Sequence, residues 1–177
     1  GGMAYTFLKA QGLDIGNSLL EEESVPVAAD LLQKAGSKLV LPTDCLVTQK
    51  FAAGAETRVV SVTNIPPDWE GVDIGPETRE RYTAAVSEAG TVVWNGPLGV
   101  FEVDDFAAGT IAVAQALEQA TWESGAVSII GGGDTAAAVA KAGAHKRMTH
   151  ISTGGGASLE CLGGRVLPGV EALDDGE

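Results

Sequence analysis

The residues best suited to chemistry lie in one segment, 128–139, with the sequence SIIGGGDTAAAV. Its apolar, β-branched start, which ends at Ile130, predicts a buried parallel strand. The next three residues, Gly131, Gly132 and Gly133, let the backbone turn sharply and let a ligand approach with no Cβ in the way. The pattern is typical of a strand–turn–helix unit whose turn faces a ligand.

Asp134 and Thr135 stand where this alanine-rich helix begins. The free N–H groups of a helix start favour an anion, so the first hypothesis is a phosphate site. A bare carboxylate would repel phosphate, but Mg²⁺ is commonly held by one or two carboxylates together with phosphate oxygens. The segment therefore predicts a metal–nucleotide site with Asp134 as the metal ligand. The alternative is a glycine-rich turn in which Asp134 only caps the helix.

Residues 131–136 also fit Gly-x-Gly-x-x-Ala, the dinucleotide-binding fingerprint. That motif should carry an acid about 20 residues later, where it binds the ribose hydroxyls. The stretch 153–157 holds no acid, and the first one downstream is Glu160. An NAD-dependent oxidoreductase is therefore a weaker interpretation, and it stays open.

Strand and helix signals alternate along the chain, which predicts βαβ units and a parallel sheet. Strands are predicted at 38–41, 45–48, 58–62, 91–94, 126–130 and 149–152. Helices are predicted at 3–11, 21–35, 77–89, 106–119 and 157–162, and after Gly133. The predicted fold is α/β with three layers, a Rossmann-like parallel sheet flanked by helices.

Glycine-bearing turns directly follow three of the predicted strands, at 95–99, 131–133 and 154–156. Ligands of open α/β sheets bind at the carboxyl ends of the strands. We therefore expect the three turns to converge on one edge of the sheet. This convergence is a more specific signal than any one of the turns.

Composition restricts the class of protein. A length of 177 residues favours one domain, and a net charge of −13 argues against binding nucleic acid through a basic surface. Cys45 and Cys161 stand far apart and are expected to be packed thiols in a reducing compartment. No apolar run reaches the roughly 18 residues of a membrane span, and no signal-peptide pattern is present. We therefore expect a cytoplasmic protein without membrane or nucleic-acid partners.

Eight segments, in order along almost the whole chain, together resemble the phosphoglycerate kinase family. They are GGMAYTFL at 1–8, IGNSL at 15–19, LPTD at 41–44, WEGVDIGP at 69–76, WNGPLGVFE at 94–102, IGGGDT at 130–135, STGGGASLE at 152–160 and LPGV at 167–170. The resemblance implies most of the C-terminal, nucleotide-binding domain of a two-domain kinase. Residues 1–164 would form this domain without its beginning, and 165–177 would form a C-terminal tail that packs toward the N-terminal domain.

The resemblance also implies an activity. Enzymes of this family move a phosphoryl group reversibly between 1,3-bisphosphoglycerate and Mg·ADP, giving 3-phosphoglycerate and ATP in glycolysis and gluconeogenesis. The parent enzyme is expected to be a monomer whose N-terminal domain binds the phosphoglycerate. The three glycine turns hold no Lys or Arg, so cations would come from Mg²⁺ and from the other domain. This chain alone is expected to be inactive.

Site residues follow from the resemblance as well. Gly154, Gly155 and Gly156 would face the transferred phosphoryl group as catalytic residues. Asp134 would bind Mg²⁺. Nucleotide phosphates would be held by Thr135 and the neighbouring turns, which contribute Gly131, Gly132, Gly133, Asn95 and Pro97.

The nucleoside would be bound by other residues. Glu102 would accept hydrogen bonds from the ribose hydroxyls. A flat slot for adenine would be lined by Gly1, Gly2, Phe51, Gly71 and Val72, with Leu98 as a further candidate. Alternatives stay open: Phe51 and Val72 as plain core residues, Glu102 as a solvated acid, and the whole chain as a non-catalytic phosphate-binding module.

Overall fold

The computed structural model describes residues 1–152, 154–166 and 171, without the side chains of Ser158 and Cys161. The chain divides into two compact units, Gly1–Ala85 with Pro97–Val113, and Val86–Gly96 with Ala114–Glu177. The motif match at 167–170 and most of the predicted tail lie outside the described residues. No helix in the described part of the chain has the length and apolarity that crossing a membrane requires.

The first unit contains two helices and an antiparallel sheet. Helix α1 spans Gly2–Ala10 and helix α2 spans Val25–Ala35. The strands are β1 (Asp44–Thr48), β2 (Thr57–Ser61) and β3 (Glu70–Ile74), in the order β2-β1-β3. Both neighbours of β1 run antiparallel to it. Helix α3, Pro76–Glu88, and helix α4, Ala108–Glu123, begin in this unit.

The core of the first unit is apolar and includes one cysteine. Its buried members are Tyr5, Leu8, Ile15, Cys45, Val47, Val62, Ile65 and Trp69. Burial raises the pKa of the Cys45 thiol to about 12, so this thiol stays protonated, as expected of a packed residue.

Two local predictions are wrong in this unit. Residues 38–41 form no strand; a 3₁₀ turn covers Gly36–Lys38, and no described strand pairs with the residues that follow it. For helix α2, the apolar spacing predicts an inward face of Val27, Leu31, Leu32 and Ala35, and half of this set is wrong. Val27 and Leu31 are 60% and 44% exposed, whereas Leu32 and Ala35 are half-buried on the same face as the buried Ala28. The buried face of α2 is set by the residues that pack on the helix, and more than one apolar stripe of its sequence could have formed that face.

The second unit contains a parallel sheet of strands β4 (Thr91–Asn95), β5 (Val127–Gly131) and β6 (His150–Ser152), in that order. Helices α5, Gly133–Lys141, and α6, Gly155–Leu162, pack against this sheet. The predicted α/β class with a parallel sheet flanked by helices is confirmed. The antiparallel sheet of the first unit was not predicted.

A buried acid at the start of β1 caps helix α3. The carboxylate of Asp44 accepts hydrogen bonds from the Glu77 N–H at 3.0 Å, the Thr78 N–H at 2.8 Å and the Thr78 hydroxyl at 2.6 Å. Burial opposes ionisation of Asp44, but the hydrogen bonds from Thr78 and Glu77 outweigh it, so its pKa is lowered. This contact ties the sheet of the first unit to the start of α3.

We expect Asp44→Ala to lower the free energy of unfolding by about 2–3 kcal/mol at pH 7, because it leaves buried donors without an acceptor. Because the pKa of Asp44 is lowered in the folded state, its contribution to the free energy of unfolding is present above the unfolded-state pKa. That contribution is lost as the pH falls through the folded-state pKa. The difference in free energy of unfolding between the parent and Asp44→Ala should therefore shrink as the pH falls below the ordinary pKa of 3.8. Urea unfolding at pH 7 and pH 3 measures both effects. Asp14→Ala, at an exposed acid, serves as the control, and an equal loss in both variants would contradict the prediction.

Candidate functional site

The three glycine turns lie at one edge of the parallel sheet. Asn95, at the end of β4, is level with Gly131 at the end of β5, which is level with Ser152 at the end of β6. Because the three strands are parallel, the residues that follow them leave the sheet on the same side. The predicted convergence is confirmed.

The turns after β5 and β6 pack directly against each other. A Cβ on Gly155 would lie 2.6 Å from the Cα of Gly132 and 2.8 Å from its nitrogen. Gly132 has a φ of +91°, which L side chains rarely adopt. These two glycines are therefore required by the packing of the turns, independently of any ligand.

Side chains of Asn95 and Thr135 join the turn after β4 to this pair. The Asn95 Oδ1 lies 3.0 Å from where a Cβ of Gly132 would be, and 3.4 Å from that of Gly155. The Gly96 N–H donates to the Thr135 Oγ1 at 2.7 Å, and Thr135 is 1% exposed. In this arrangement the Thr135 hydroxyl connects two turns.

Asp134 has an exposed side chain, unlike the buried Thr135 next to it. It lies in the first turn of α5, whose N-cap is Gly132, and no side chain caps the helix. The Asp134 carboxylate makes no hydrogen bond or ion pair with any residue that the structure describes. The alternative in which Asp134 serves only as a helix cap is therefore wrong.

The chemistry available at this edge is that of backbone donors and one carboxylate. The first N–H groups of α5 and α6 have no acceptor within their own helices, so both helix starts can bind an anion. Within the described residues, no group of three His, Cys, Asp or Glu side chains could hold a metal ion by itself. A cation at Asp134 would therefore need phosphate oxygens as its other ligands, which is the arrangement common for Mg²⁺.

The first unit contains the residues predicted for the nucleoside. Gly1 lies against the turn after β4, since a Cβ on it would be 2.9 Å from the Pro97 carbonyl oxygen. The segment with Phe51 is held near Asp105, whose carboxylate accepts a hydrogen bond from the Gly54 N–H at 2.7 Å. Glu102 is exposed, and Phe51 is 51% exposed with its ring edge-on to Phe106, the centroids 6.3 Å apart.

Other residues predicted for the adenine slot have packing roles. Val72 is 2% exposed and belongs to the core, as the alternative interpretation holds. Gly71 has no room for a side chain because the Tyr5 ring occupies the place of its Cβ. A Cβ on Gly2 would lie 2.5 Å from a methyl carbon of Leu19, an exposed side chain that is free to move.

Two residues that the sequence interpretation missed hold the turn after β4. Asp73, on β3, accepts hydrogen bonds from the Gly109 and Ile74 N–H groups, and Thr110 accepts from those of Leu98 and Gly99. Burial raises the pKa of Asp73 to about 6, and the backbone hydrogen bonds oppose this rise. An acid flanked by the apolar Val72 and Ile74 was a detectable signal for Asp73; Thr110 has none.

Comparison with known proteins agrees with this geometry. The family model described as phosphoglycerate kinase matches residues 1–165. The chain belongs to the phosphoglycerate kinase family. This membership favours the kinase interpretation over the NAD-dependent oxidoreductase.

Individual family members are similar in sequence and in fold. The phosphoglycerate kinase of Chloroflexus aggregans is 57% identical over 100% of this chain and 45% of its own length. That of Pelodictyon phaeoclathratiforme is 57% identical over 99% of this chain and 45% of its own length. The solved phosphoglycerate kinase structure from Coxiella burnetii superposes with a TM-score of 0.89 at 43% identity, covering 97% of this chain and 44% of that one. The chain thus spans under half the length of these family members.

Proposed function

We propose that the protein to which this chain belongs is a phosphoglycerate kinase, a phosphotransferase with a carboxyl group as acceptor. It would transfer a phosphoryl group reversibly between 1,3-bisphosphoglycerate and Mg·ADP, giving 3-phosphoglycerate and ATP. The observation that carries the proposal is the edge of the parallel sheet where three glycine turns meet. Beside these turns lies Asp134, an exposed acid that does not cap helix α5. Family membership supports the choice of substrates.

In this proposal the turns after β5 and β6 bind the phosphates. The N–H groups at the starts of α5 and α6 would bind phosphate oxygens, and the bare backbone of Gly133, Gly154 and Gly156 would let them approach. Asp134 would hold Mg²⁺, which supplies the positive charge that the moving phosphoryl group needs. Asn95 and Thr135 would keep the turns at fixed positions.

Glu102 would accept hydrogen bonds from the ribose hydroxyls of the nucleoside. Gly1, Gly2, Phe51 and Leu98 stay candidates for the adenine side. Gly71 and Val72 would act there through packing, since both are enclosed by neighbouring residues. We further propose that residues 1–164 belong to the nucleotide-binding domain and that 165–177 form a tail.

Phosphoglycerate binding would require sequence outside this chain. The turns contain no Lys or Arg, and the chain has a net charge of −13, which repels an anionic substrate. We therefore expect this chain alone to be inactive. The whole enzyme is expected to act as a cytoplasmic monomer in glycolysis and gluconeogenesis.

A coupled assay of the full-length gene product tests the proposal, following ATP formation from 1,3-bisphosphoglycerate and ADP with and without Mg²⁺. We expect turnover only with Mg²⁺. ADP binding without turnover would favour the non-catalytic phosphate-binding module. Displacement of ADP by NADH, again without turnover, would favour the oxidoreductase.

A further inference from the structure

The segment Leu98–Glu102 ends in the exposed acid that the proposed function assigns to the ribose, yet it has no regular secondary structure of its own. An irregular segment holds a side chain at a fixed position only where its backbone groups are tied to rigid elements. The contacts of this segment therefore decide where Glu102 lies.

Strand β3 provides the first tie. The Val100 N–H donates to the Val72 carbonyl oxygen at 2.8 Å. The Asp73 carboxylate next in the strand lies against Gly99, because a Cβ on Gly99 would be 2.5 Å from the Asp73 Oδ1. Only a glycine at position 99 allows this approach.

The start of helix α4 provides the second tie. The Thr110 Oγ1 accepts hydrogen bonds from the N–H groups of Leu98 at 3.2 Å and Gly99 at 3.1 Å. Thr110 is itself fully buried, so no water can replace its oxygen without rearrangement.

Asp73 joins the two ties. Its Oδ2 accepts from the Gly109 N–H at 2.6 Å, which fixes the helix start that carries Thr110. Its Oδ1 accepts from the Ile74 N–H at 2.9 Å. Both carboxylate oxygens are therefore used within the protein, and Asp73 is 2% exposed, so it cannot contact a ligand directly.

We propose that Asp73 and Thr110 form a clamp that positions the Leu98–Glu102 segment, and that this clamp sets nucleotide affinity through the ribose contact of Glu102. The inference rests on the proposed function. Asp73 and Thr110 are positioning residues, because neither reaches the nucleotide. Their effect should therefore depend on whether the nucleotide has ribose hydroxyls.

The test compares Thr110→Val with Thr110→Ser in the full-length protein. Valine has nearly the shape of threonine but leaves two half-buried N–H groups, those of Leu98 and Gly99, without their acceptor, whereas serine keeps the oxygen. We expect the Kd for Mg·ADP, measured by calorimetry, to rise about tenfold in Thr110→Val and to stay within about twofold of the parent in Thr110→Ser. If Thr110→Val does not fold, Asp73→Asn replaces it. The side-chain NH₂ of asparagine would then face the N–H of Gly109 or of Ile74, so one of the two hydrogen bonds is lost.

A second ligand separates positioning from general loosening of the fold. With 2′,3′-dideoxyadenosine diphosphate, which lacks the ribose hydroxyls, Thr110→Val should change the Kd by less than about twofold. In a Glu102→Ala background, Thr110→Val should likewise have little further effect on ADP binding, because coupled residues are not additive.

Each outcome decides between the two proposals. ADP binding by the parent with an unchanged Kd in Thr110→Val would overturn the clamp alone. Equal losses for ADP and the dideoxy analogue would overturn its action through the ribose. Failure of the full-length parent to bind ADP would overturn the proposed function together with the clamp.

Discussion

In the full-length protein, Gly155→Ala is expected to lower both stability and turnover, although the change adds a single methyl group. Its Cβ would lie 2.6 Å and 2.8 Å from two backbone atoms of Gly132, and these cannot rotate away as a side chain would. The turns after β5 and β6 must therefore separate. We expect a loss of about 1–3 kcal/mol in the free energy of unfolding. A displacement of about 1 Å at a reacting site can lower the rate by about 10²-fold.

The neighbouring glycine provides a matched control for stability. A Cβ on Gly156 would meet no atom within 4 Å, and alanine favours the helix in which it lies. Gly156→Ala should therefore unfold at the same or a slightly higher urea concentration than the parent. Any loss of turnover in Gly156→Ala would then come from obstruction of the phosphoryl group. Equal stability of Gly155→Ala and Gly156→Ala would refute the packing argument.

Asp134→Asn is expected to abolish the Mg²⁺ dependence of ADP binding and to lower kcat by about 10²–10³-fold, which is typical for the loss of one preorganised electrostatic contact. The fold should hold, because Asp134 is exposed and Gly132, rather than Asp134, is the N-cap of α5. Loss of a first-turn negative charge costs about 0.3–1 kcal/mol through the helix dipole. Asparagine has nearly the size of aspartate, so the substitution removes the charge and changes little else.

The measurement is a calorimetric titration of the full-length protein with ADP, with and without Mg²⁺. Glu77→Gln is the control, because Glu77 is likewise an exposed acid in the first turn of a helix, α3. It should lose the same small dipole contribution and keep the Mg²⁺ dependence. If Asp134→Asn binds Mg·ADP as tightly as the parent does, the metal-ligand assignment is wrong.

Local signals were sufficient for most elements. The strands at 91–95 and 127–131 and helix α5 are flanked by glycine turns, so their ends are marked in the sequence itself. The antiparallel pairing of β1 and β2 could also be inferred from the sequence, because the loop between Thr48 and Thr57 is too short for a parallel crossover. Strand β3 was missed, since its Glu-Gly-Val-Asp-Ile sequence lacks a strand pattern and its pairing partner, β1, is distant in sequence.

The sequence by itself determined the family, the parallel sheet with its three glycine turns at one edge, and the exposed acid after the second turn. These features depend on residue type and on spacing along the chain, which folding does not change. Only the tertiary structure decided which glycines serve packing. Gly71 makes room for Tyr5 and Gly155 for Gly132, and each pair is far apart in sequence. It also revealed the clamp of Asp73 and Thr110, because a hydrogen bond between distant residues leaves no periodic signal in either of them.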